Sequence, residues 1–170
     1  MQYNLHPIFV HFPIAFLFLY SLIKLIPLTK LIPSVSWRDI ERVLLVCGVL
    51  GLFFATSTGE MADSVIKVDH GVKEAHEFAA NLTGWMYGLL LAGEVIAFLN
   101  KGLIKKIRVV EIEKLFTFLE KVFLNKFISS TLVILGFLAL FVTGLLGGAM
   151  VYGESADPLV PIVFKLLGLN

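Results

Sequence analysis

Residues 127–152 read FISSTLVILGFLALFVTGLLGGAMVY, a run without one charged side chain. A helix of about 20 residues crosses a bilayer, so this stretch is long and apolar enough to span one. It is continuous rather than alternating, which argues for helix over strand, and an open sheet edge cannot survive in lipid. Three stretches upstream share its character, at residues 8–31, 40–59 and 78–99. The composition agrees: of 170 residues, 58% are hydrophobic and 16% charged, where ordinary soluble domains carry about a quarter charged. The sequence predicts an all-α integral membrane protein, a single domain over residues 1–170, built as an up-down-up-down four-helix bundle.

Several classes fall away at once. A net charge of +1 offers no surface for nucleic acid, so the expected partner is the lipid bilayer. Cys47 alone supports neither a disulfide scaffold nor a thiolate metal centre. The first apolar run has no basic start and no small-residue cleavage site, and is expected to stay in the mature protein.

Lys and Arg gather on the cytoplasmic side of membrane proteins. Lys24, Lys30, Arg38 and Arg42 flank the first connection, and Lys101, Lys105, Lys106, Arg108, Lys114, Lys121 and Lys126 the third. Only Lys67, Lys73 and Lys165 of the 14 basic residues lie on the other side, among Glu60, Asp63, Asp69, Glu74, Glu77, Glu154 and Asp157. This predicts a multi-pass protein of a bacterial cytoplasmic membrane with both termini on the periplasmic side. Within the third connection, Val109, Ile112, Leu115, Phe116, Leu119, Val122 and Phe123 recur at helical spacing. They predict an interfacial amphipathic helix over about residues 109–125.

All four histidines map to the outer end: His6 and His11 open the first span, His70 and His76 precede the third. Imidazole is a common metal ligand, and ionisable groups at membrane depth are functional candidates. Helices one and three run parallel across the bundle diagonal, so His11 and His76 are expected to face each other as the axial ligands of a haem iron. Gly59, Gly84, Gly88, Gly144, Gly147 and Gly148 lie near this layer and are read as making room for the macrocycle, walled by Phe12, Phe78 and Trp85. Plain close packing of helices is the ordinary use of such glycines. His6 and His70 are expected to orient the haem propionates with Lys67 and Lys73, to ligate a second haem, or to donate from behind the ligands. The same four histidines are an alternative set for copper or zinc. At the inner end, Lys24 and Glu94 fall at similar depth and are expected to pair, with a quinone site or proton path at Glu94 as the functional version.

The opening Leu5-His6-Pro7-Ile8-Phe9-Val10-His11-Phe12-Pro13-Ile14-Ala15 resembles the start of the membrane-protein family called domain of unknown function 2231, whose members open with a similar H-P-x-x-V-H-F-P run. Gly59, the His76-Glu77 pair and the stretch Gly147-Gly148-Ala149-Met150-Val151-Tyr152 are similar to later features of that family. The resemblance implies a four-helix membrane module, found in places with redox partners, whose histidines suggest haem. One departure stands out. Related sequences often place a histidine soon after the Val-Tyr, where this chain has Gly153-Glu154-Ser155. The expectation is therefore a b-type cytochrome-like module with one haem b, or two, exchanging electrons with quinol or a redox partner protein. It reads as an electron carrier or a structural anchor subunit more than as a stand-alone enzyme.

Overall fold

A computed structural model describes residues 6–63, 68–104 and 109–169, apart from the side chains of residues 61–63. Leu5, Lys67, Lys105, Lys106 and Arg108, invoked above, lie outside the described residues. In chain order the elements are α1 (His6–Leu25), α2 (Leu28–Leu31), α3 (Trp37–Asp63), α4 (His70–Leu99), a π-helical turn (Asn100–Ile104), α5 (Val110–Phe123), α6 (Lys126–Tyr152), a 3-10 turn (Gly153–Ala156) and α7 (Val160–Leu167). No strand occurs among the described residues, and α1, α3, α4 and α6 are long and apolar enough to cross a membrane. The protein is an all-α four-helix membrane bundle.

Local chemistry sets where these helices begin and end. The first helix stops at Leu25, short of the expected residue 31, because Pro27 has no N–H and disfavours helix in the residue before it. Asp69 caps α4 by accepting from the backbone N–H groups of Gly71 and Val72 at 3.0 and 3.2 Å, so this helix starts at His70 rather than at residue 78. Asn125 caps α6 in the same way, through Phe127 and Ile128. α7 was not anticipated from sequence. Pro161 in its first turn and Gly168 at φ 69° after its last are its start and stop signals. Its Val160 and Phe164 pack with Val72 of α4 and with Leu146 and Ala149 of α6.

The bundle consists of two antiparallel pairs, α1 with α3 and α4 with α6. They close through α1 against α6 and α3 against α4, which leaves α1 and α4 on a diagonal. Glycines seat one helix on the next. A Cβ at Gly48 would lie 2.3 Å from Leu17 Cδ2, and one at Gly51 would lie 3.0 Å from Pro13 Cδ. On the other pair, a Cβ at Gly136 would lie 3.0 Å from Tyr87 Cε2. Without a hydrophobic force between helices in lipid, such close approach is what supplies packing energy. The buried proline of α1 gives up a helical hydrogen bond but presents a compact ring that fits the Gly51 seat. Leu17, Tyr20, Leu45, Tyr87, Leu90, Val133 and Leu140 fill the middle of the bundle.

The end away from the histidines is held by charge. Lys24 bonds Glu41 at 2.8 Å and Arg42 bonds Glu94 at 2.9 Å, so the expected Lys24–Glu94 pair is not formed. The diagonal explains the exchange. Lys24 reaches α3, its neighbour, and Glu94 is met by the α3 residue next along the chain.

Candidate functional site

His6 and His11 are five residues apart, roughly 140° around a helix of 3.6 residues per turn, so both cannot face inward. His6 shares its face with Pro13 and Leu17, at i+7 and i+11, and those two are fully buried. His6 is therefore the inward ring of α1. His11 is exposed on the bundle's outer surface, its Nδ1 beside the Pro7 carbonyl of its own helix. The expected opposition of His11 and His76 does not form, because His11 lies on the outer face and the inward ring of α1 is His6. On α4 the same arithmetic puts His76 in line with the buried Thr83 and Tyr87, again at i+7 and i+11.

Each inward histidine occupies the outermost seat of its helix pair. A Cβ at Gly59 would lie 3.2 Å from His6 Cε1, and one at Gly147 would lie 3.3 Å from His76 Cε1. Each ring is also anchored. His76 Nδ1 donates to the Thr143 carbonyl of α6 at 3.1 Å, which leaves Nε2 as the basic nitrogen of the neutral ring. His6 Nδ1 lies 3.2 Å from Thr58 Oγ1, whose own proton is directed to the Phe54 and Ala55 carbonyls, so the imidazole is the donor. The Ala55 carbonyl is a second acceptor beside the His6 ring. The two imidazoles come one from each helix pair and lie at the same end of the bundle. Ala55 beside His6, and Ala79 and Thr83 one and two turns along α4 from His76, are buried and small.

The other expected participants lie apart. His70 is exposed and sits 3.5 Å from Glu74 one turn along α4. No group of three or more His, Cys, Asp or Glu side chains among the described residues could hold a metal ion, so the four histidines do not converge. Phe12, Phe78 and Trp85 are 56%, 71% and 69% exposed and face outward rather than walling a slot. A Cβ at Gly84, Gly88 or Gly144 would meet nothing within 4 Å, and one at Gly148 would make only an ordinary contact with Ala156. Gly144 lines an apolar groove of about 180 Å³ with Ile14, Phe18, Phe137 and Phe141 on the outer surface. Of the glycines singled out in the sequence, Gly59 and Gly147 touch the histidines. Thr58 and Thr143, the anchors, were not foreseen as such. Their signal was a hydroxyl residue one to four positions from each of those glycines.

A family model described as a predicted membrane protein, DUF2231, matches residues 2–156. The chain belongs to that family. The matched span of this DUF2231 member includes all four membrane helices and both inward histidines, and ends at the 3-10 turn, before α7. No curated protein and no solved structure matches the chain.

Proposed function

We propose that this DUF2231 protein is a membrane electron carrier whose haem is held between His6 and His76 at one end of the bundle. The observation that carries the reading is the pair itself: two imidazoles, from diagonal helices, each seated on a glycine and anchored through Nδ1. A metal-ligating histidine almost always donates its other ring N–H to an oxygen, which fixes the tautomer and aims the ligand nitrogen. His76 and Thr143 have that arrangement. The donor set suits the group, since neutral imidazole nitrogens such as those of His6 and His76 would hold a haem iron.

The haem, when bound, supplies one-electron chemistry. The chain's own residues bind and orient it, and the surrounding apolar helices exclude water and so set its potential. The electron partners are quinol or a redox protein, and the site faces the outer side of a bacterial cytoplasmic membrane. That placement rests on the concentration of Lys and Arg at the opposite end.

The test is an absorption spectrum of protein purified from membranes after expression with haem supply, oxidised and then reduced with dithionite. The reading predicts a Soret band and sharp low-spin bands on reduction, with near one haem per chain. Stoichiometric copper or zinc without a Soret band would contradict it and favour the metal-binding alternative.

A further inference from the structure

An apolar groove opens between α1 and α6, two of the helices long and apolar enough to cross a membrane. Ile14 and Phe18 line it from α1, and Phe137, Phe141 and Gly144 from α6. Phe18 and Phe137 meet at its inner end, with ring centroids 5.5 Å apart. At the outer end Gly144 leaves the wall open, since a Cβ there would meet nothing within 4 Å. The groove holds about 180 Å³, and an apolar cavity of about 150 Å³ is enough to take up a benzene ring.

His11 belongs to this surface. It precedes Ile14 and Phe18 by three and seven residues, which places all three on one stripe of α1. α1 and α6 run antiparallel, so seven residues outward from the Phe18–Phe137 contact reach His11 on one helix and Gly144 on the other. The exposed imidazole is therefore level with the glycine. Its Nδ1 lies against the Pro7 carbonyl, which can only accept, so Nδ1 carries the proton and Nε2 is left as the acceptor.

We propose that this groove binds an isoprenoid quinol, with a hydroxyl donating to His11 Nε2, the ring over Gly144 and the chain along the phenylalanines. The proposal rests on the haem reading, to which it adds the electron donor and its place. An occupant reaches such a groove from the lipid, and the acceptor nitrogen at its mouth selects among lipid-phase molecules. The phosphodiester and ester oxygens of a phospholipid only accept, whereas a quinol hydroxyl donates. The phenylalanines add edge or offset stacking with a flat ring, which an acyl chain cannot make. Gly144 also adjoins Thr143, whose carbonyl holds His76 at 3.1 Å, so the groove reaches the anchor of the inferred haem ligand. Glu94, the residue expected from sequence to serve a quinone, is engaged by Arg42 at the opposite end.

The experiment measures anaerobic binding of decylubiquinol to the dithionite-reduced protein in detergent, and of decylubiquinone to the oxidised protein, by equilibrium dialysis. The quinol should bind saturably at one per chain and about three- to tenfold more tightly than the quinone, which has no hydroxyl to donate. His11→Leu should erase that preference, and Gly144→Leu, which fills the outer end of the groove, should lose both ligands. Each variant should keep wild-type helicity by circular dichroism. An undiminished quinol preference in His11→Leu overturns the site, as does wild-type binding in Gly144→Leu. Displacement of the quinol by excess phosphatidylethanolamine or phosphatidylglycerol makes the groove a phospholipid seat and overturns it too. His6→Ala separates the two claims, since it should lack haem and still bind quinol. Low-spin haem bands in wild-type protein that binds no quinol overturn the groove alone, and quinol bound to wild-type protein that never shows those bands overturns the haem reading alone.

Discussion

Ser21 and Tyr87 share a hydrogen bond of 2.6 Å between the diagonal helices, and both side chains are fully buried. Ser21 Oγ also donates to the Leu17 carbonyl at 2.8 Å, so it keeps a partner when the phenol is removed. Tyr87 has no such reserve. Ser21→Ala should therefore destabilise the bundle by about 1–3 kcal/mol, and Tyr87→Phe by about 1 kcal/mol or less, because an orphaned buried hydroxyl costs more than a lost bond. Denaturant titration in a mild detergent reads the difference, and equal costs would contradict the geometry. Gly48→Ala should cost about as much as Ser21→Ala, although it adds only one methyl. Its methyl would press on Leu17, which is fully buried and cannot swing away, a cost of about 1–3 kcal/mol by overpacking. At this scale the sequence was only half legible. The histidine layer was visible, but which ring of α1 turns inward depended on reading His6 in phase with Pro13 and Leu17. The motif alone presents His6 and His11 as equals.

The helices are joined at the end away from the histidines by two ion pairs that cross between neighbours. Double-mutant cycles on neutral variants should show coupling of about 0.5–1 kcal/mol for Lys24 with Glu41 and for Arg42 with Glu94, both partly exposed and so partly screened. Lys24 with Glu94 should show coupling near zero, and a large value there would restore the diagonal pair. Gly93→Ala tests the docking of α5. A methyl 2.7 Å from Phe123 Cβ has to push the helix outward, so backbone amides of residues 110–123 should exchange faster with deuterium than in wild type. The existence of all four spans and of α5 could be read from hydrophobic runs and periodicity. Their ends could not, because capping by Asp69 and termination at Pro27 act on single residues that a hydropathy pattern does not weigh. α7 was missed because a short apolar helix at the chain's end makes too weak a pattern, and its reason for forming is tertiary. It covers the junction of α4 and α6 through Val160 and Phe164.

For the molecule as a whole, orientation and chemistry are separable claims. The charge asymmetry predicts that Ser155→Cys, in a Cys47→Ser background, is labelled in intact cells by a membrane-impermeant maleimide. Lys114→Cys should label only after permeabilisation. Both positions are exposed, so failure of the pattern would invert the topology. Fold class was legible from composition because lipid allows a chain of this kind few alternatives. The site was less so, since it is made by two helices distant in sequence whose rotations are set by where their glycines fall. The central claim is that His6 and His76, and not His11, are the rings that hold the haem. Its most direct test is the reduced-minus-oxidised spectrum of three variants purified in parallel with wild type. His6→Ala and His76→Ala should each lose the low-spin bands, while His11→Ala keeps them at wild-type haem content. Loss in His11→Ala with retention in His6→Ala would contradict the account.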